Sequence, residues 1–463
     1  IYNFTGVGST YTLGRWFLGY AGLITSMFDL PWVNGAFSLF YISIVVILLT
    51  EMFEIKNKGM IVLCAAIFVS FPTVVSSFAY MYTADAYLLA FLLATLAVYL
   101  TWCVKKWGTI AGMVCLAFAM GIYQAYATVA IVLVLLYIIR QFVIEKLDFL
   151  EAVRKDLKYL GMLVGGAVLY AVILKITLIR YNITLPGYQG IGALGIMSLG
   201  QYKAALQKTL YHFRLILGME HGVEKHVYSL LNAAALLLIG LILIYLLVRN
   251  QVYKKKMSML ASIAAVCLIP VGAYFINFTS PDVQYYTLME MAVCLIYLLL
   301  IIMLLQLEWK TWISKILKGC GIFVLCGLVY YNVINSNIAY FNMNLSYHKS
   351  ISIAEDVLQR IEQMDEFQNQ HDKVVIMGDY NCATENLQIM MPSIMGISND
   401  SFLNDSYHYT IIWNYCFGVQ MEQASYDEMM EIVETDEYKN MSVYPLKGCV
   451  EYINGIIVVK MQE

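Results

Sequence analysis

The chain has 463 residues, 60% of them hydrophobic and only 13% charged, with a mean hydropathy of +0.68. A water-soluble globule cannot bury that much apolar surface, so the composition excludes one and calls for an integral membrane protein in contact with a lipid bilayer. The net charge of −3 conceals two unlike regions, as the pass along the chain shows.

Near the N-terminus, "TLGRWFLGYAGLI" reads as a short helix that carries Arg15 in the first outer loop. Stretches of about 20 apolar residues, long enough to cross a hydrocarbon core as helices, then recur. They fall at 32–54, 59–79, 85–104, 108–122, 124–140, 159–179, 228–249, 257–276, 285–306 and 318–338. Lys and Arg collect in every second loop: Lys56 and Lys58, Lys105 and Lys106, Arg140 through Lys158, Arg249 through Lys256, and Lys310 through Lys318. This asymmetry assigns those loops to the cytoplasm and the others to the outside. Both ends of the sequence then lie outside, which with ten crossings implies a further segment upstream of Ile1.

The long outer loop from Arg180 to Val227 brings Arg180, Lys203, Lys208, Arg214 and Lys225 together with Glu220 and Glu224. Within it, Leu199, Tyr202, Leu206, Leu210, Phe213 and Leu217 recur at helical spacing, as expected of a helix lying in the membrane interface with cations along one side. Such cations suit a lipid whose headgroup carries phosphate, Arg15, Arg180, Lys208 and Arg214 being the candidates. Anchoring to ordinary headgroups is the plainer alternative.

Residues 341–463 hold nineteen Asp and Glu against six Lys and Arg, a net of −13. That marks a soluble, extracytoplasmic domain after a membrane domain of residues 1–340, and a poor partner for nucleic acid. Ile351, Ala354, Leu358 and Ile361 predict an amphipathic helix, "DKVVIMGDYN" a buried strand, and "YINGIIVVKMQE" a hairpin about Asn454-Gly455, together a small α/β domain. No G-x-G-x-x-G follows the strand, so the phosphate cradle of a nucleotide fold is absent and such a fold is not expected. Trp413 and Tyr415 are candidates for stacking on sugars. Of the ten cysteines only Cys382, Cys416 and Cys449 fall here, leaving a disulfide between two of them open. No C-x-x-C or H-x-x-x-H occurs, so no metal site and no cofactor are expected, and a need for a divalent ion is left open.

The acids able to reach the outer face are Asp29, Asp85, Glu220, Glu224, Asp282 and Glu290. A carboxylate beside hydrocarbon is costly and so a functional candidate. Asp85 either N-caps a helix starting at Ala86 or works chemically. "GIYQAYA", with Tyr123 and Gln124, and "NFTSPDVQYY", with Asp282, add hydrogen-bonding and stacking groups of the kind a sugar needs, although interfacial tyrosines also serve as anchors.

"TLGRWF", "FPTVVSSFAYMYTADAYLLAFLLA", "GIYQAYATVAIVL" and "MSVYPLKGCVEYINGIIVVKM" resemble, in order, blocks of the bacterial O-antigen glucosyltransferase (Gtr type II) family. The resemblance implies a multipass GT-C-like fold and an enzyme that moves glucose from a polyprenyl phosphate carrier to a glycan acceptor outside the cytoplasmic membrane. A separate donor synthase and a flippase would serve it. The resemblance also implies a general base in the first outer loop, which has no acid from Ile1 to Trp16; the base is therefore expected upstream of Ile1, or else is Asp85. In the first case Asp85, with Tyr82 in a Y-x-x-D pattern, would support the site or touch the acceptor. Two rivals remain: a lipid-linked sugar flippase or transporter, which should show helices broken near mid-bilayer or repeated halves, and an envelope glycan polymerase or ligase using a lipid-linked oligosaccharide.

Overall fold

The computed structural model describes residues 7–185, 197–219, 227–280, 282–368, 372–381, 403 and 405–461. Two compact units divide the chain, with the change at Ser336 and Asn337.

The first unit opens with a 3-10 helix, Val7–Leu13, a turn through Gly14 and Arg15, a short helix Leu18–Ala21 (α1) and another 3-10 turn, Gly22–Thr25. The one short helix expected around Arg15 is thus divided, because Gly14 takes φ +69°, a left-handed conformation that stops regular helix. There follow Pro31–Met52 (α2), Lys58–Ser70 (α3), Pro72–Phe78 (α4), Met81–Cys103 (α5), Gly108–Ile122 (α6), Ala127–Val143 (α7) and Phe149–Tyr181 (α8). Beyond them come Leu199–Ile216 (α9), Val227–Arg249 (α10), Lys256–Cys267 (α11), Ile269–Ala273 (α12), Leu295–Leu305 (α13) and Trp312–Glu362 (α14).

Six helices are long and apolar enough to cross a membrane, seven if α3 and α4 count as one bent span, and three shorter apolar helices lie at Gly108–Ile122, Lys256–Cys267 and Met291–Leu305. This is the build of a multipass helical membrane protein. Small residues let the helices close up. At Gly112 of α6 an added Cβ would lie 2.5 Å from Thr101 Oγ1 and 2.6 Å from the Ala97 carbonyl of α5, so only glycine permits that approach.

Pro72 causes the 41° bend between α3 and α4, since the residue before a proline is driven to extended backbone and Phe71 has ψ 139°. Backbone groups freed at such a bend need partners where no water reaches. Ser336 Oγ donates to the Ser70 carbonyl at 3.3 Å, and Thr73 Oγ1 donates to the Thr287 carbonyl at 2.9 Å.

The basic turns meet at one end of the bundle. Arg140 bonds Glu54 at 2.8 Å, Lys255 bonds Asp148 at 2.8 Å, Arg249 bonds Glu308 at 2.6 Å, and Lys158 Nζ donates to the Thr101 carbonyl at 2.8 Å. The turns between α2 and α3, α7 and α8, α10 and α11, and α13 and α14 are thereby tied together, as alternating up-and-down helices require.

Helix α14 contributes to both units. A break near residue 340 was expected where the charge changes sign; instead the helix is continuous for 51 residues, because neither Gly nor Pro occurs between Gly327 and Glu362 and a change of charge does not break a helix.

In the second unit, strands Lys373–Met377 (β1), Glu422–Gln423 (β2), Val450–Ile453 (β3) and Ile456–Lys460 (β4) form one sheet of order β2-β1-β4-β3. β1 runs parallel to β2 and β4, while β3 and β4 form the hairpin, turning at Asn454 (φ 52°) and Gly455 (φ 85°). Side chains alternate across the sheet. Val374, Ile376, Ile457 and Val459 pack with Ala354, Val357 and Ile361 of α14 and with Trp413. Val375, Met377 and Val458 pack on the other face with Ile432. Ser406–Ile412 (α15), Tyr426–Glu434 (α16) and Asp436–Asn440 (α17) complete the unit. Trp413, expected as a sugar platform, is instead fully buried, its Nε1 donating to the Ala354 carbonyl at 2.7 Å; a two-sided sheet needs a large residue there to fill the core. Tyr415 is exposed. Cys416 and Cys449 are free thiols, and Cys382 lies outside the described residues.

Candidate active site

At the end of the first unit away from the basic turns, Arg15 is fixed by its backbone and its side chain. Its N–H donates to the Thr10 carbonyl at 3.1 Å, and its own carbonyl accepts from Thr10 Oγ1 at 3.0 Å. The guanidinium lies 4.3 Å from the centre of the Tyr123 ring, and Nη1 donates to Tyr87 Oη at 3.2 Å. Tyr87 and Tyr123 stack on each other with centroids 5.1 Å apart. A planar cation on an aromatic face is held in orientation as well as in place.

The loop bearing Arg15 is clamped from behind. Gln124 Nε2 donates to the Leu13 carbonyl at 3.0 Å and to Tyr170 Oη at 2.9 Å, and Tyr170 Oη donates to the Gly14 carbonyl at 3.0 Å. Gln124, expected as a sugar contact, is thus committed to backbone, and acts on Arg15 through this clamp. A Cβ on Gly14 would lie 2.7 Å from Gln124 Nε2, so the clamp closes only on glycine.

Asp85 is not a cap. Helix α5 starts a turn earlier than expected, at Met81, and Asp85 sits in its second turn, 1% exposed. Its carboxylate accepts from Thr25 Oγ1 and from Asn34 Nδ2, each at 3.3 Å. Asn34 Nδ2 also donates to the Met81 carbonyl at 3.1 Å, and its Oδ1 accepts from the Leu30 N–H at 2.9 Å. This buried node joins the start of α2 to the start of α5 two residues from Tyr87. The carboxylate beside the first N–H groups of α5 belongs to Asp29, which meets the Tyr82 N–H; burial pushes the Asp29 carboxyl above its ordinary range. Tyr82 is half-buried on the same first turn.

A second buried carboxylate lies deeper. Glu290 is 3% exposed, its Oε1 accepts from Tyr274 Oη at 2.8 Å, and its Oε2 has no hydrogen-bond partner among the described residues. Tyr274 and Tyr285 pack at 5.0 Å, and His212 of α9 lies 5.6 Å from Tyr285.

Helix α9 is opened by a capping box between Ser198 and Gln201, a pattern that pairs the orphan N–H groups of a first turn. A face of mostly small and polar residues turns to the protein. Ala205, Thr209 and Ile216 are buried, and Thr209 Oγ1 accepts from Asn277 Nδ2 at 3.1 Å. Leu199, Leu206 and Leu210 are exposed, an apolar strip that no protein covers among the described residues and that suits lipid, as a helix in the membrane interface requires. Lys208 and Arg214 are exposed, Arg214 lining a groove of about 280 Å³ with Gln207, Leu210 and Tyr211. Arg180 is exposed in the last turn of α8, next to Tyr181, whose ring lies 5.0 Å from that of Tyr11. Asp282 is exposed, and no hydrogen bond joins it to the Arg15 cluster among the described residues. Glu220 and Glu224 lie outside the described residues.

The structure therefore unites Arg15, Tyr123 and Gln124, sets Asp85 and Tyr82 on an adjoining node, and leaves Arg180, Lys208, Arg214 and Asp282 outside that contact network. Tyr87, Tyr170, Thr25 and Asn34 escaped the sequence analysis. Only Gly14, a glycine directly before the arginine, hinted at a close approach there.

No curated protein and no solved structure matches the chain significantly. The profile of the family described as "Glucosyl transferase GtrII" does match, over residues 1–282. That range takes in the Arg15 clamp, the Asp85 node and α9, and ends before Glu290 and the second unit. The chain belongs to the glucosyl transferase GtrII family and is a membrane glycosyltransferase.

Proposed function

We propose that the chain transfers glucose from a polyprenyl phosphate carrier to an envelope glycan on the outer side of the cytoplasmic membrane. The observation that carries this reading is the Arg15 guanidinium, held over the Tyr123 ring and bonded to the Tyr87 hydroxyl at the end of the bundle opposite the basic turns. Those turns favour the cytoplasmic side, so the clamp would face a compartment without nucleotide sugars, where a lipid-linked donor is the available one. A guanidinium is matched to phosphate oxygens. As the glycosidic bond breaks and charge grows on the departing phosphate, a pre-placed cation stabilises it without having to reorganise.

Lys208, Arg214 and Arg180 would draw the phosphate toward this end, while the exposed leucines of α9 sit with the isoprenoid tail in the bilayer. Asp85 is read as a positioning residue, since Thr25 and Asn34 occupy its carboxylate. A general base on the acceptor hydroxyl is then sought elsewhere in the outer loops, Tyr82 and Asp282 remaining candidates for sugar contact. The flippase alternative calls for helices broken near mid-bilayer. The break at Phe71 comes after the 13 residues of α3, toward the Arg15 end, and its backbone groups are tied to Ser336 and Thr287, which favours a fixed bend.

The test is transfer of labelled glucose from polyprenyl phosphoglucose to endogenous glycan in membranes holding the protein. Arg15→Lys keeps the charge and loses the planar stack, about 1 to 2 kcal/mol when partly desolvated, and should slow transfer about tenfold. Transfer at the unaltered rate in Arg15→Lys would remove Arg15 from the donor site. Movement of the lipid-linked sugar across vesicles without transfer would replace the reading by the flippase.

A further inference from the structure

We infer that the second unit carries a binding pocket of its own for a neutral, hydroxyl-rich glycan segment, built at the end of the sheet where β1 and the β3–β4 hairpin meet α16. The inference rests on the reading that the enzyme's acceptor is a glycan, and it moves the aromatic contact from the buried Trp413 to Tyr452. The pocket has a volume of about 500 Å³, within the range of sites that enclose small ligands.

Its wall combines three kinds of group. Tyr452, on the edge strand β3, is 41% exposed and lines the pocket. Asp372, Glu428 and Glu431 supply acceptors, while Lys373 and the amides of Gln368 and Asn454 supply donors. Gly455 leaves the hairpin side open, for an added Cβ there meets nothing within 4 Å.

Several of these groups are held in place. Lys373 Nζ bonds Glu428 Oε1 at 2.6 Å, Glu428 Oε2 accepts from the Ser425 N–H at 2.8 Å, and Asp372 Oδ2 accepts from the Gln368 N–H at 2.7 Å. A rigid set of mixed donors and acceptors beside an aromatic ring suits hydroxyls, which both donate and accept, and sugar rings, whose C–H faces lie on aromatic rings. The charge balance selects further. Three carboxylates against one lysine repel a phosphodiester chain, and since Lys373 and Glu428 already pair with each other, a cationic peptide is the competing ligand that the experiment has to separate from a glycan. The acceptor is therefore a neutral polysaccharide and not a teichoic acid.

The experiment uses the full chain in lipid nanodiscs and three probes: a panel of neutral hexose pentasaccharides, a glycerol phosphate hexamer, and trilysine. Binding is read by saturation-transfer NMR and competition. The expected result is binding of at least one pentasaccharide, weakened about tenfold by Tyr452→Ala and by Glu431→Gln, with far-UV circular dichroism unchanged. Glu431 is an exposed helix residue, so its variant keeps the test valid should Tyr452→Ala fold poorly. Binding of the phosphate hexamer or of trilysine in preference to every pentasaccharide overturns the proposal, as does pentasaccharide binding that neither variant alters. Glucose transfer, measured separately, keeps the two readings apart. Transfer that proceeds with the acceptor KM unchanged in both variants overturns the pocket alone, whereas pentasaccharide binding without any glucose transfer supports the pocket and overturns the proposed reaction.

Discussion

Gly14→Ala is the sharpest perturbation of the Arg15 site, because it alters no group with chemistry of its own. Two costs follow from the structure. An L residue at φ +69° pays roughly 1 to 2 kcal/mol for left-handed backbone. The new methyl would also lie 2.7 Å from Gln124 Nε2 and 2.9 Å from Tyr170 Oη, nearer than either atom can remain. Moving them loosens Gln124 to Leu13, Gln124 to Tyr170 and Tyr170 to Gly14, each worth about 1 kcal/mol net. With two of these lost, the strain is about 3 to 4 kcal/mol. It falls on the turn itself, whose flanks stay docked because Tyr11 and Trp16 are buried against Ala117, Tyr170 and Leu174 and the Phe17 N–H donates to the Gly121 carbonyl at 2.8 Å, so the turn through Gly14 and Arg15 should shift while the helices stay packed.

Arg15 then leaves Tyr123, and only about 1.4 kcal/mol of lost ordering already costs tenfold in the productive population. The assay is the initial rate of labelled glucose transfer in vesicles at several donor concentrations, beside thermal unfolding of the same protein. Transfer should fall at least tenfold, with the unfolding midpoint little moved. Gly35→Ala is the control, since a Cβ there meets nothing within 4 Å and alanine favours helix; its transfer should be unaltered. Wild-type rate and donor KM in Gly14→Ala would refute the clamp and, with it, the special place of Arg15.

Asp85→Asn keeps the shape of the side chain but presents an N–H₂ to either Thr25 or Asn34, both of which now donate to the carboxylate. It should cost about 1 to 2 kcal/mol of stability and leave transfer within threefold, whereas loss of transfer in a normally folded variant would make Asp85 the base. In the second unit, hydrogen bonds from Lys373 and Ser425 hold the Glu428 carboxyl down at about 2. A group depressed on folding stabilises above its unfolded pKa and loses that stabilisation as the pH falls through the folded one. The difference in unfolding midpoint between wild type and Glu428→Gln should therefore be full at pH 6 and shrink from about pH 4.5 toward pH 2; a constant difference would contradict the ion pair. Trp413→Phe removes the donor to the buried Ala354 carbonyl and should destabilise by about 1 to 3 kcal/mol without changing glycan binding, measured by denaturation and saturation transfer; weakened binding with intact folding would restore Trp413 as a sugar platform.

The helices were legible because the bilayer fixes both their length and their apolarity, and the basic loops because charge asymmetry survives in a linear list. Their ends were less so. Hydropathy placed the start of α5 at Asp85, yet the backbone begins to coil at Met81, through Tyr82 and Thr83, which a hydropathy count scores as loop. That error of one turn created the cap reading of Asp85, whereas it is Asp29 that meets the first turn of α5. The change of charge at residue 341 falls close to the change of compact unit at Ser336 and Asn337, but it does not end the helix, since nothing in the intervening residues stops one.

Arg15 was legible as a cation at the right depth, but its fixation was not, since it depends on Gln124 and Tyr170 reaching back to Leu13 and Gly14 across more than a hundred residues. The same distance separates useful from misleading aromatics. Among 36 tyrosines, Tyr87 and Tyr123 differ from the rest only in lying where the turn through Gly14 delivers a guanidinium. Residue type supplied the candidates, and long-range backbone contacts chose among them. Hence a substitution that moves that backbone, with every polar side chain kept, is a stricter test of the site than removal of any one of them.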